Sequence, residues 1–97
     1  MAQPAPDLRQ HRALVQADLI AFLDEVAGAW PVADVAERRE EVGHGEFGEA
    51  LENIIALSFG AGYPLKPGQV ARILSLGEVM EMGDSPLVQQ FIAEHQH

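Results

Sequence analysis

The sequence has no cysteine, no threonine, no long apolar run and few basic residues, and each shortage closes off a class of protein. Without cysteine there is no disulfide framework, no thiolate metal site and no sulfur nucleophile, which fits a reducing compartment. Without threonine, and with serine only at Ser58, Ser75 and Ser85, a hydroxyl nucleophile has few places to sit. No apolar stretch approaches the roughly 20 residues that a membrane span needs. Met1 to Asp7 lacks the basic region and apolar core of a signal peptide. The expectation is a soluble, cytoplasmic protein. Alternating β-branched residues are also missing, so strands are not expected, and neither an internal repeat nor a low-complexity segment is present.

What the chain does have is enough apolar residue for one core. Its 97 residues are 47% hydrophobic and 22% charged, the composition of an ordinary globular domain. One helical domain spanning 1–97 is expected, with a frayed leader at 1–6 and a frayed tail at 95–97. The net charge of −9 is uneven. Asp34, Glu37, Glu40, Glu41, Glu46, Glu49 and Glu52 face only Arg38 and Arg39 within residues 34–52. Such a field repels nucleic-acid phosphate and anionic membrane and attracts a basic partner. Solubility is the commoner reason for acidity, but clustering points towards a partner.

Glycine and proline divide the remainder into helices. Asp7 suits the cap of a first helix running to about Ala27 and stopped by Gly28. Its stripe is Leu8, Val15, Leu19, Phe22, Leu23 and Val26, and a lesser strip of Leu14, Ala17 and Ala21 predicts neighbours on two sides. A second helix begins either at Pro31 or at Asp34, whose spacing to Glu37 resembles a capping box. Its arginines are expected to pair with Asp34 and with Glu40 or Glu41. The third helix, Glu46 to Phe59, is the clearest. At about 100° per residue, Phe47, Ala50, Leu51, Ile54, Ile55, Leu57 and Ser58 fall on one arc. Glu46, Glu49, Glu52 and Asn53 fall on the other, with Ala56 among them. Pro67 opens a fourth helix, on which Val70, Ile73, Leu74, Gly77 and Met80 share a face, and Gly83 is its expected stop. Ser85 and Pro86 start a fifth, to about Glu94, built on Leu87, Val88, Phe91 and Ile92. The fold class is all-α, a compact bundle of four to five short helices.

Catalytic chemistry is hard to find. Ser58 lies on a core arc, Ser75 on an outward face, and Ser85 is a cap. His44 and Glu46 are two ligands across a glycine, short of the three or four a metal site needs, so His44 reads as a hinge residue. His11 faces solvent, and His95 and His97 belong to a polar tail. Gly43, Gly45 and Gly48 lack the spacing, strand and lysine of a phosphate loop. Glu46, Glu49 and Glu52 have no apolar pocket to tune a pKa, which leaves two readings for them, a solvated face and a binding face. Trp30 and Tyr63 flank the acidic segment; such rings are half-buried packing residues or binding anchors. Met80 and Met82 read as core filler. No enzyme activity, metal or cofactor is expected.

Gly45-Glu46-Phe47, then Ala50-Leu51-Glu52, then Leu65 and the Ile73, Leu76, Met80 series resemble a family of bacterial immunity proteins. It is the MafI-like group and its small helical relatives, encoded beside polymorphic toxins and contact-dependent growth inhibition toxins. The resemblance covers about residues 35–83. The N-terminal helix carries no match, and Pro64 and Pro67 around Lys66 replace a polar cap before the fourth helix. The resemblance implies a cytoplasmic protein that binds and neutralises a cognate toxin domain, often a nuclease with a basic cleft, by protein–protein contact. The expected contact residues are Asp34, Glu37, Glu40, Glu41, Glu46, Glu49 and Glu52, with Trp30 or Tyr63 as anchor. The other reading is a small helical adaptor or regulatory subunit, dimerising through Leu14, Ala17 and Ala21.

Overall fold

Five helices account for the fold: α1 (Leu8–Val26), α2 (Val32–Gly43), α3 (Phe47–Gly60), α4 (Pro67–Val79) and α5 (Pro86–His95). The computed structural model describes residues 8–95. The 1–6 leader, the Asp7 cap, the Leu8 side chain and His97 lie outside the described residues. Among those described there is no strand, and no helix is long and apolar enough to cross a membrane.

The other four helices all pack against α3. Its wheel explains this, because Ala50, Leu51, Ile54 and Ile55 are fully enclosed and Phe47 is buried. They meet Val15, Leu19, Phe22, Leu23 and Val26 of α1, Val35 and Val42 of α2, Ile73 and Leu76 of α4, and Val88 and Phe91 of α5. Each such aliphatic or aromatic side chain contributes about 1.5–3 kcal/mol when removed from water. Among the described residues, no buried side-chain polar atom lacks a partner.

The second apolar strip of α1 departs from expectation. Leu14 is 69% exposed, Ala17 is exposed and Ala21 is half-buried. α1 has neighbours in α2, α3 and α4, but none covers that strip. α2 begins directly after Pro31, and the Asp34–Glu37 capping box is not used: no side chain caps this helix. His95 is not part of a frayed tail. It ends α5 with its ring 4.4 Å from that of Phe91.

Two helix ends share one hydrogen-bonding pattern. At the end of α2 the Glu46 N–H donates to the Glu41 carbonyl at 2.8 Å and the Gly45 N–H to the Val42 carbonyl at 3.0 Å. Gly45 takes φ +77 between them, which is the Schellman arrangement with glycine in the left-handed position. Arg12 of α1 covers this turn, with its guanidinium 4.8 Å over the Phe47 ring and 3.4 Å from the Gly45 carbonyl. At the end of α4 the same pair of bonds runs from Met82 to Gly77 (2.9 Å) and from Glu81 to Glu78 (3.0 Å). Here the left-handed residue is Glu81, at φ 55. Gly83 is therefore not the stop; the helix ends at Val79 and Glu81 makes the turn.

Substitution at these two left-handed positions should act in opposite directions. Gly45→Ala forces a Cβ into left-handed space, where it meets the Arg12 Nη2 at 2.7 Å. The arginine can swing aside, but the backbone strain persists, and a loss of about 1 kcal/mol is expected. Glu81→Gly removes the same strain and should gain about 1 kcal/mol. Thermal unfolding reads both, since about 1 kcal/mol moves Tm by roughly 4–8 °C in a domain of this size.

Candidate functional site

The turn at Gly45 places α2 beside α3, and the acidic segments of both helices meet along their shared edge. The carboxylates there do not behave alike. Arg38, only 7% exposed, donates from Nε to Glu41 at 2.6 Å and from Nη2 to Glu37 at 3.0 Å. Glu41 accepts a second bond, from the Asn53 Nδ2 of α3 at 2.6 Å. Arg38 and Glu41 thus form a largely buried ion pair that locks α2 to α3. Arg39 turns away and pairs with Asp24 of α1 at 2.8 Å. Of the expected partners on the arginines' own helix, Asp34 and Glu40 or Glu41, Glu41 is taken by Arg38, and the expectation is corrected for Arg39, which reaches across to α1.

Two further acidic residues are also engaged. Asp34 accepts the Tyr63 hydroxyl at 2.6 Å, and this bond to a charged acceptor raises the Tyr63 pKa above its ordinary value. Glu52 accepts the Ser85 hydroxyl at 2.6 Å, tying α3 to the α4–α5 turn, while the same Ser85 Oγ lies 3.4 Å from the Val88 N–H it caps. Asp34, Glu41 and Glu52 therefore hold helices together rather than standing free for a partner.

Trp30 is also corrected. It is 3% exposed, with its ring 5.8 Å from Phe22 and 5.2 Å from Tyr63, and its indole N–H donates to the Pro64 carbonyl at 3.1 Å. A ring so enclosed cannot anchor a partner. Its position follows from the chain reversal at the end of α1, where the Trp30 N–H bonds the Val26 carbonyl at 2.8 Å and turns the side chain inward. Tyr63 is half-buried against it and spends its hydroxyl on Asp34.

What remains outward is Glu37, Glu40, Glu46 and Glu49, all exposed. Glu49 is the focus of the group. A hydrogen bond to the Glu46 carboxyl, then the Glu46 charge, slight desolvation and the charges of Glu41 and Glu52 together raise its pKa above the usual 4.5. Both residues sit at the first turn of α3, where the positive end of the helix dipole favours anions. His44 is exposed, with Nδ1 3.7 Å from Glu46. Among the described residues no group of three His, Asp or Glu side chains is placed to hold a metal. The serines are likewise occupied or outward: Ser58 donates to the Ile55 carbonyl at 2.7 Å and Ser75 is exposed.

Sequence reasoning missed the division between engaged and free carboxylates. The signal was partial: Asn53, the one neutral polar residue on the acidic arc, marks the point where Glu41 docks. The bonds from Ser85 to Glu52 and from Arg39 to Asp24 join residues 33 and 15 positions apart, and no local spacing announces them. Comparison with protein-family models, with curated proteins and with solved structures finds no match to this chain.

Two measurements separate the engaged carboxylates from the free ones. Arg38→Ala leaves Glu41 enclosed without its cation and should lower stability by about 3 kcal/mol, whereas Glu37→Gln should change it by less than about 0.5 kcal/mol. For Glu49, the raised pKa means the fold favours its protonated form. That contribution is complete below the ordinary carboxylate pKa and is lost as pH rises through the folded-state value. Glu49→Gln should therefore raise Tm slightly at pH 7, with the gain vanishing towards pH 4. A uniform offset across that range would contradict the repulsion.

Proposed function

We propose that this chain is an immunity protein, binding a basic, nuclease-type toxin domain in the cytoplasm and neutralising it by contact alone, with no chemistry of its own. The observation that carries the reading is the crowding of Glu46 and Glu49. Glu49, whose carboxyl is held above its ordinary pKa by the neighbouring Glu46, and the exposed Glu37, Glu40 and Glu46 form an acidic surface whose repulsion a cationic partner relieves. A nuclease cleft built for phosphate supplies such a partner, and carboxylates at helical spacing take the place of its phosphates. The resemblance of the Gly45-Glu46-Phe47 and Ala50-Leu51-Glu52 segments to the immunity family supports the same reading. The contact residues are narrowed to Glu37, Glu40, Glu46 and Glu49. Asp34, Glu41, Glu52, Trp30 and Tyr63 act behind them as the frame.

A binding face of this kind speeds encounter more than it tightens the final complex. Charges on it are screened beyond a Debye length of about 8 Å at physiological salt, so association should slow steeply as salt is raised. The second reading, an adaptor that dimerises, draws on one observation: the uncovered Leu14 and Ala17 strip of α1. Sedimentation of the isolated chain as a monomer would dismiss it.

The deciding test is rescue of bacterial growth. The neighbouring gene is expected to encode a secreted toxin, whose C-terminal domain is expressed with and without the chain. Rescue by the wild type, lost with the double reversal Glu46→Lys and Glu49→Lys while Tm is kept, is the expected outcome. Unaltered rescue by the double variant would show that the acidic face is solubility surface, and absence of rescue by the wild type would end the immunity reading.

A further inference from the structure

With Trp30 enclosed, the exposed acidic face has no large apolar side chain at its centre, whereas stable interfaces have an apolar core inside a polar rim. An apolar recess lies close by. Between α4 and α5 a groove of about 490 Å³ is walled by Leu74, Val88 and Ile92, with Gly77 at its floor and Glu78 and Glu81 at its rim. Gly77 is what brings the two helices together: a Cβ there would stand 3.1 Å from the Val88 Cγ1. The volume falls within the range of about 300–1,000 Å³ typical of pockets that seat a ligand.

The turn that joins the two walls of the groove borders α3. Ser85, in the turn that joins its two walls, bonds Glu52 of α3 at 2.6 Å, and the Met82 methyl lies 3.8 Å from where a Cβ on Gly48 would stand. Charge says what fits it. Residues 73–94 contain four carboxylates and no lysine or arginine. A second copy of this chain, itself at −9, would set carboxylate against carboxylate. Glu81 adds a further point. It holds a left-handed backbone at φ 55 where glycine would be unstrained, and it does so at the groove mouth.

We infer that the α4–α5 groove is the apolar anchor site of the binding surface, receiving an apolar side chain from a lysine- or arginine-bearing amphipathic helix of the partner protein. This rests on the proposal that the partner is a basic protein, and deepens it. The apolar residue enters over Gly77 between Leu74 and Ile92, while cations on the flanking turns of the incoming helix meet Glu78 and Glu81. The mode is a helix laid in a groove, with the anchor supplying residence time and the carboxylates supplying orientation.

The probe is an 18-residue peptide of leucine and lysine patterned as an amphipathic helix, compared with a scrambled peptide of equal composition. Binding is followed by amide shifts of the full chain in NMR titration. The patterned peptide should bind at least tenfold more tightly than the scrambled one and move the Gly77, Gly83 and Ile92 amides. Ile92→Asp should weaken it at least fivefold. Should that variant unfold, Glu81→Gly decides: it should raise Tm yet weaken binding at least threefold. Equal affinity for the two peptides, undiminished binding by Glu81→Gly, or shifts confined to Glu46 and Glu49 would overturn the groove. Self-association that closes the groove in sedimentation would also overturn it, assigning the site to a second copy. Loss of the groove in any of these ways leaves the rescue experiment and the Glu46 and Glu49 reversal to judge the immunity reading on its own.

Discussion

α3 has to serve as the wall for four other helices at once, and most of the molecule follows from that constraint. A helix of 14 residues has one broad apolar arc to offer. Here that arc is filled by Ala50, Leu51, Ile54 and Ile55 with no exposure left. Every carboxylate, and Asn53 with them, is pressed into the strip that remains: Glu46, Glu49 and Glu52. Side chains three or four apart on a helix are neighbours, so the carboxylates crowd because the core leaves them nowhere else. Packing and electrostatics are consequently linked. The same demand that makes the core deep makes the outer strip dense in negative charge.

The protein deals with this charge in two ways. Part of it is absorbed as structure. Arg38 is enclosed between Glu37 and Glu41, Asn53 and Ser85 donate to Glu41 and Glu52, and Tyr63 donates to Asp34. The bonds from Asn53, Ser85 and Tyr63 each join two elements, while the enclosed Arg38 takes its partners from its own helix, because a largely buried charge needs a partner to be tolerated. The remainder, centred on Glu46 and Glu49, is left facing solvent with its repulsion intact. Net charge keeps a small domain soluble, but solubility does not require carboxylates so crowded that Glu46 raises the pKa of Glu49.

The helices and the core were legible in the sequence because they depend on local rules. Pro67 and Pro86 open helices at the expected residues, the α3 wheel sorts buried from exposed side chains, and the α1 stripe from Val15 to Val26 is the core. Boundaries set by tertiary contact were not legible. Asp34 had the spacing of a cap and is taken instead by Tyr63, 29 residues away. Leu14 and Ala17 had the pattern of a packed strip and face water, since α2, α3 and α4 use up the other sides of α1. Gly83 had the residue type of a stop, yet Glu81 makes the turn. Trp30 is the instructive case for the site. An acidic segment begins four residues after it, at Asp34, but the chain reversal after Val26 points it inward, between Phe22 and Tyr63. Proximity in sequence to a charged segment says nothing about which side of the backbone a ring will occupy.

That inward turn of Trp30 bears on how such a surface works. Carboxylates alone give fast, salt-sensitive encounter, and rim charges exposed to water add little residual affinity. Holding a partner requires desolvated apolar contact, which the α2–α3 face lacks once Trp30 and Tyr63 are assigned to the frame. The bond from Ser85 to Glu52 places the turn between α4 and α5 against α3, and the groove over Gly77 is an apolar recess with Glu78 and Glu81 in its lining. At Glu81, glycine would free the turn but remove a negative charge from the groove mouth. On the proposed reading, the acidic strip created by α3 draws a basic partner in and the recess created by the close approach of α4 and α5 holds it.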